Sequence, residues 1–346
     1  MLLEGKPLRG RELQNLKDFL QKMDLSYDEG IEYSVCVLDD SYHIIGTGSV
    51  DRNVIKCVAV DPGHQGMGIS AELLSNLVQY EFEKGRTHLF IYTKPKNQVM
   101  FGDMGFYTIF QTEDVLFMEN RAKGFANFIE TIRKETPVEA LRGGSRIGAV
   151  VANCNPFTKG HRYLVERALE QCAYLHLFIL SDEGSLFSAK ERYEMAQRGI
   201  EGLQRVVLHR TQDYMISAAT FPTYFFKERL QGQRANCRLD LQLFGDRIAP
   251  ELGITMRFVG SEPFCEVTRS YNETMHEILP SYGIEVVETR RATREGTAIS
   301  ASEVRKYLSE GEIRKIKELV PESVFDFLMN REVAKGLSGN GGIPTM

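Results

Sequence analysis

The stretch Asn155-Pro156-Phe157-Thr158-Lys159-Gly160-His161 decides how the second half of this chain is read. Before it, Ile147-Gly148-Ala149-Val150-Val151-Ala152 is short, apolar and β-branched, which predicts a buried strand. After it, Tyr163, Leu164, Ala168 and Leu169 recur at helical spacing, so His161 stands at the opening of a helix. A strand, a tight Pro/Gly turn and a helix start together make an anion site. The first-turn N–H groups lack intrahelical acceptors and point, with the positive end of the helix dipole, at one place. A histidine there can donate to a phosphoryl oxygen as charge builds during transfer. The segment predicts phosphate chemistry.

Outward from this turn the pattern divides the chain. From Arg146 onward, apolar runs at 147–152, 174–180, 206–208 and 256–259 alternate with helical stretches, which predicts a parallel α/β sheet. Upstream, runs at 31–38, 43–50 and 54–60 are separated by Asp39-Asp40-Ser41 and Asp51-Arg52-Asn53, the pattern of an antiparallel meander. Leu73, Leu74, Leu77 and Val78 then mark one face of a helix that Gly85 ends, with further strands at 89–92 and within 106–118. Phe125, Phe128, Ile129 and Ile132 make one more amphipathic helix, and 136–145 reads as a linker. The expected organisation is therefore a mixed α+β unit over 1–120, a helix and linker over 121–145, a parallel, Rossmann-like α/β unit over 146–335 and a disordered Gly-rich tail over 336–346. No internal repeat is visible.

Composition narrows the function. The 346 residues suffice for two domains, and 42% hydrophobic with 26% charged residues is ordinary for a globular protein. A net charge of −5 argues against a surface that coats nucleic acid. No apolar run approaches the roughly 20 residues that span a bilayer. The first residues, with Glu4, Arg9, Arg11 and Glu12, hold no apolar signal core, so the expected location is the cytoplasm. Six scattered cysteines without a Cys-x-x-Cys pair fit a reducing compartment, and Cys154 beside the turn reads as a small strand-end residue before it reads as a nucleophile. The seven histidines show no ligand spacing, so no tightly held transition metal is expected.

The first half carries a second phosphate loop. After the run at 54–60 comes Asp61-Pro62-Gly63-His64-Gln65-Gly66-Met67-Gly68-Ile69-Ser70 and then a helix. Glycines 66 and 68 let the backbone approach an anion, and successive N–H groups can cradle a pyrophosphate. Residues 65–70 resemble the pyrophosphate loop of the GNAT acetyltransferase family, Gln/Arg-x-x-Gly-x-Gly/Ala, with Ser70 departing from the usual Gly or Ala. Asn97, Phe101, Gly105, Phe106 and Tyr107 resemble that family's second motif. The resemblance covers about 1–120 and implies a fold that grips a coenzyme-A-type ligand through Gln65, Gly66, Gly68, Ser70 and Asn97. Tyr107 is either a general acid or a packing residue, and the fold alone does not confer activity.

In the second half, Ser188-Ala189-Lys190-Glu191 is a capping box whose helix carries Arg192 one turn in, either phosphate-facing or on the surface. Gly260-Ser261-Glu262-Pro263 follows a strand, at the carboxyl end of the sheet where open α/β folds bind ligands. Ile299-Ser300-Ala301-Ser302-Glu303-Val304-Arg305 opens another helix, its serines capping or donating to phosphate. Lys159 either touches phosphate or is solvated. Thr158-Lys159-Gly160-His161 together with 299–305 resembles the two signatures of the nucleotidylyltransferase superfamily, His/Thr-x-Gly-His and Ile-Ser-x-Ser/Thr-x-x-Arg/Lys. One departure is Glu183, where the pantetheine-phosphate branch tends to carry a phosphate-binding Lys; a carboxylate would repel an anionic acceptor.

With Asp213-Tyr214, Ala219-Thr220-Phe221-Pro222 and Gly260-Ser261-Glu262-Pro263, the two halves are similar to the citrate lyase ligase family over essentially the whole chain. That resemblance implies an AMP-forming ligase using ATP and Mg²⁺. Acetate would become acetyl-AMP, and the acetyl group would pass to the thiol of the phosphoribosyl-dephospho-CoA arm on the citrate lyase acyl carrier protein. It implies His161, Lys159 and Thr158 as catalytic residues and Asn155, Phe157, Arg192, Gly260, Ser300, Ser302 and Arg305 as ATP contacts. Two rivals stay open: an adenylyltransferase making a pantetheine- or nicotinamide-type cofactor, and an acetyl-CoA-dependent acetyltransferase.

Overall fold

The structure is a computed structural model that describes residues 1–28, 30–141, 144–181, 185–216, 229–262, 266–294 and 296–339. Two compact units emerge, one formed by Met1–Glu130 with Asp213–Phe244, the other by Thr131–Gln212 with Gly245 onward.

The first unit opens with β1 (Leu2–Gly5), α1 (Gly10–Lys22), β2 (Tyr33–Leu38), β3 (Ile44–Asp51) and β4 (Val54–Val60). It continues with α2 (Ile69–Glu83), β5 (Phe90–Thr93), α3 (Gln98–Asp103), β6 (Tyr107–Gln111) and β7 (Leu116–Glu119), and its boundary falls inside α4 (Gly124–Glu135). The sheet order is β1-β2-β3-β4-β5-β7-β6. The predicted meander is β2–β4, antiparallel throughout. Helix α2 packs on it closely because β3 offers glycines: a Cβ at Gly46 would meet Ile69 at 2.5 Å, and one at Gly48 would meet Leu77 at 2.7 Å. Val35, Leu73, Leu77, Ile91 and Leu116 form the buried centre of this layer.

β4 and β5 run parallel but pair only at Val54↔Phe90 and Ile55↔Ile91, although β4 continues to Val60. The β3–β4 register shifts between Thr47 and Ser49, and Cys57 on β4 sits at φ 54. Such a bulge bends the strand, so β4 parts from β5 just before the Gln65–Ser70 loop.

The second unit contains α5 (Val138–Leu141), β8 (Ile147–Ala152), α6 (Lys159–Leu169), β9 (Tyr174–Ile179), α7 (Ala189–Gly199) and β10 (Val206–Arg210). After α8 (Arg229–Leu243), which belongs to the first unit, come α9 (Ala249–Leu252), β11 (Met256–Gly260), α10 (Glu266–Ile278) and β12 (Glu285–Thr289). The short strands β13 (Thr293–Arg294) and β14 (Thr297–Ala298) precede α11 (Ala301–Glu310), α12 (Ile313–Leu319) and α13 (Glu322–Gly339).

The five strands lie in the order β10-β9-β8-β11-β12, all parallel. From β8 the chain winds one way to β9 and β10, and later the other way to β11 and β12. The reversal opens a crevice at the carboxyl end of β8, the place where parallel α/β sheets bind ligands. Val150, Leu177, Met195, Met256 and Val304 form the core below it.

The structure departs from the sequence-based expectation in its domain division, with Asp213–Phe244 in the first unit rather than the second, and in several elements. Helix α5 occupies part of the stretch read as linker. Strand β12 forms where the sequence pattern predicts no strand. Helix α13 continues through 336–339, where the sequence predicts a disordered tail, while 340–346 lie outside the described residues. Glu183, Ala219–Pro222 and Pro263 likewise lie outside the described residues.

Candidate functional site

The Asn155–His161 turn leaves β8 at the crevice. Asn155 and Pro156 are joined by a cis peptide bond, and Asn155 Oδ1 accepts from the Phe187 N–H at 3.4 Å, which ties the turn to the approach of α7. Thr158 is the N-cap of α6, with its hydroxyl accepting from the His161 N–H at 3.3 Å. In return His161 Nδ1 accepts from the Thr158 N–H at 2.9 Å. This is a capping box in which an imidazole replaces the usual carboxylate. Because a backbone N–H can only donate, Nδ1 must be the acceptor, and the neutral ring carries its proton on Nε2. Burial, with the Arg291 guanidinium adding to it, lowers the His161 pKa to about 4. His161 is therefore a neutral donor at physiological pH.

The second signature arrives at the same place. Ser300 caps α11, accepting from the Glu303 N–H at 3.1 Å, while Ser302 is exposed. Arg305 spans the two motifs: Nη1 donates to the Asn155 carbonyl at 2.6 Å and Nη2 to Ser302 Oγ at 3.0 Å. Gly160 is needed for this approach, since a Cβ there would stand 3.1 Å from the Ile299 carbonyl oxygen. Two helix starts thus converge at the end of β8, adding two sets of first-turn N–H groups to one crevice. Gly260 ends β11 at the same sheet edge, with open space where a Cβ would be.

Two expected ATP contacts are placed elsewhere. Phe157 is fully buried and wedged against Gly199, with its ring centroid 5.4 Å from that of His161. It is a packing residue that backs the imidazole. Arg192 is also fully buried: Nε donates to the Phe187 carbonyl at 3.2 Å, and Nη1 to the Asn153 carbonyl at 3.1 Å and to Asn153 Oδ1 at 2.5 Å. It pins α7 to the turn from below, out of reach of phosphate. Lys159 is exposed, but its ammonium rests on the Glu318 and Lys317 carbonyls at the end of α12, at 3.0 and 3.3 Å. Cys154 is buried, and that burial pushes its thiol well above the ordinary range, which suits a strand-end packing role.

Sequence reasoning missed Arg291, two residues beyond β12. Its Nε donates to the Ser261 carbonyl at 2.7 Å and its Nη2 pairs with Glu262. The available signal was the basic run Arg290-Arg291-Ala292-Thr293-Arg294 just before the second signature.

In the first unit, Gly66 and Gly68 have φ of 82° and 78°, and Gly68 is the N-cap of α2. Gln65 is exposed and Ser70 lies in the first turn of α2. Asn97 donates to Thr93 Oγ1 at 2.8 Å, at the end of β5. Loop and Asn97 therefore flank the place where β4 and β5 part. Tyr107 is half-exposed on β6. Among the described residues, no group of three or more His, Cys, Asp or Glu side chains is disposed to hold a metal ion. Among them also, no helix is long and apolar enough to cross a membrane.

Comparison with known proteins matches two segments of the chain. The family described as citrate lyase ligase C-terminal domain matches residues 147–328, and the acetyltransferase (GNAT) family matches 9–108. Citrate pro-3S-lyase ligase of Klebsiella pneumoniae is 39% identical over 333 residues, covering 95% of this chain and 94% of its own. The protein of the same name from Haemophilus influenzae is 42% identical over 326 residues, covering 92% and 95%. That of Escherichia coli K12 is 37% identical over 331 residues, covering 94% and 92%.

Proposed function

The chain belongs to the citrate lyase ligase family, and on that premise we propose that it activates acetate with ATP and transfers the acetyl group to a carrier-bound thiol. A carboxylate oxygen of acetate attacks the α-phosphorus. The bond to the bridging oxygen breaks, and its electron pair leaves with pyrophosphate, giving acetyl-AMP. The thiol of the phosphoribosyl-dephospho-CoA arm on the citrate lyase acyl carrier protein then loses its proton and attacks the acetyl carbonyl carbon. AMP leaves and a thioester remains. MgATP is the substrate form, its ion carried by the phosphates.

The observation that carries this reading is the Arg305–Asn155 bond, which joins the two helix starts over one crevice. In-line displacement at phosphorus asks the protein for positioning and charge stabilisation more than for covalent chemistry. His161 Nε2–H donates to an α-phosphate oxygen as charge accumulates. Thr158 holds the imidazole through its N–H, and Lys159 leaves the α12 carbonyls for phosphate. Ser300, Ser302 and Arg305 serve the β- and γ-phosphates, with Asn155 and Gly260 shaping the crevice.

In the first unit, the Gln65–Ser70 loop and Asn97 receive the pyrophosphate of the acceptor arm. Two positive-φ glycines and the parting of β4 from β5 support this. An acetyltransferase-like fold in an enzyme that makes its own activated acetyl is then explained.

One incubation with ATP, acetate and carrier protein should yield AMP, pyrophosphate and acetylated carrier. A dinucleotide product would point to the adenylyltransferase reading, and acetyl-CoA consumption without ATP to the acetyltransferase one. Replacing Gly66 and Gly68 by Val should abolish carrier acetylation while sparing ATP–pyrophosphate exchange. A joint fall of both half-reactions would refute the division of labour.

A further inference from the structure

We propose that Arg291 is the cation that holds an anionic oxygen of the substrates in front of His161, and that Glu262 occupies its guanidinium in the ligand-free chain. This rests on the adenylylating reading given above and adds to it a residue outside both motifs.

Arg291 stands at the carboxyl edge of the sheet, where its Nε is fixed by the Ser261 carbonyl at the end of β11. Its neighbour Ala292 accepts from the Ile299 N–H at 2.9 Å, and the Ile299 carbonyl lies where a Cβ at Gly160, next to His161, would crowd it. Arg291 is thus tied by its side chain to the end of β11, while its segment is tied by a backbone bond to Ile299, which packs beside Gly160. Its charge reaches the imidazole, where it reinforces burial in keeping the ring neutral.

The other cations near the crevice are held elsewhere. Lys159 caps α12, Arg305 bridges Asn155 and Ser302, and Arg294 pairs with Glu318 on α12. Arg291 pairs with the Glu262 carboxylate just beyond β11, and a substrate oxyanion takes that partner's place by displacing the carboxylate from the guanidinium. Its side chain is 27% exposed, so an incoming group can reach it. A guanidinium offers its planar fork equally to a carboxylate and to a phosphate. The ligand chemistry is therefore an oxyanion, belonging either to the nucleotide or to the acid.

The test uses the full-length protein with Arg291→Gln, Arg291→Lys and Glu262→Gln. Binding of α,β-methylene-ATP is followed by calorimetry, the acetate KM by ATP–pyrophosphate exchange, and the His161 ring by NMR titration. Arg291→Gln should raise the His161 pKa from about 4, whereas Arg291→Lys, which keeps the charge, should not. If the oxyanion is a phosphate, analogue affinity falls about tenfold or more, the size expected for a lost charged hydrogen bond, with the acetate KM unchanged. If it is the acid, the acetate KM rises by a similar factor and analogue affinity holds. Glu262→Gln, which removes the competing carboxylate, should strengthen the affected ligand. Both affinities within twofold of wild type in Arg291→Gln, or no change in Glu262→Gln, would overturn the proposal. A wild-type protein that bound the analogue but showed no acetate-dependent exchange would instead refute the ligase reading, leaving the Arg291 test to be read from binding and NMR.

Discussion

His161 divides its work between two nitrogens, and substitutions can separate them. Asparagine places an acceptor near Nδ1 and keeps the cap; glutamine reaches toward Nε2 and keeps a donor. His161→Gln should therefore retain more ATP–pyrophosphate exchange than His161→Asn, and His161→Asn should be the more stable of the two by thermal denaturation. His161→Ala should lose both, with about 2–4 kcal/mol added to the barrier. The pH dependence follows from two imidazoles, His161 half-buried and His176 fully buried. His161 titrates at about 4 and His176, buried on β9, at about 3, both lowered chiefly by burial, against an ordinary 6.5. Below pH 6.5 the unfolded chain takes up protons that the folded chain refuses. Stability is therefore complete above about 6.5 and falls as pH drops toward 4 and 3, by about 1.4 kcal/mol per pH unit for fully buried His176. Urea midpoints at pH 7 and pH 5 check this; equal values would contradict it. His161 was legible from its position after a turn. Phe157 and Arg192 were misassigned because their burial depends on Gly199, Phe187 and Asn153, which no local pattern connects to them.

At the scale of elements, the site depends on how α6 and α7 meet. A Cβ at Gly199, in the last turn of α7, would come within 2.2 Å of the Phe157 ring. Gly199→Ala should therefore cost about 1–3 kcal/mol of stability and also slow adenylylation, because the displaced ring backs His161. Arg192→Met should destabilise by about 2–4 kcal/mol through the buried Phe187 and Asn153 oxygens left without a donor, as read from urea midpoints. Helices α2, α4 and α6 and the central strands are legible because their apolar faces repeat at 3.6 residues or form unbroken runs. Strand β12 is not, because it lies at the sheet edge and carries Glu285 and Glu288, the charges that keep an edge from pairing further. The cap at Thr158 was foreshadowed by its place before an amphipathic run, but a histidine as its partner was not.

At the scale of the whole molecule, the boundary near 120–145 suggested by the sequence describes only part of the division. Asp213–Phe244 folds with the first unit. Tyr214 donates to the buried Glu119 carboxylate at 2.8 Å and lies among the rings of Phe90, Phe125 and Phe128. Asn53 donates to Asp213 at 3.1 Å, and Tyr92 donates to Asn236 at 2.5 Å. No period or composition shift announces such a return, since it is specified by pairs far apart in the chain, 95 residues for Tyr214 and Glu119 and 144 for Tyr92 and Asn236. A fragment of residues 1–130 should accordingly melt earlier than the same unit in the full chain and bind ANS. Tyr214→Phe in the full chain should cost about 1–2 kcal/mol. The path of the backbone also bears on descent. The chain leaves the second unit after Gln212 and re-enters it at Gly245, so no single recombination breakpoint separates the two units. A gene fragment exchanged at the apparent junction would deliver an acetyltransferase-like sheet without its own Tyr214 and Asn236. Whatever their separate origins, the two units must now be inherited as one piece.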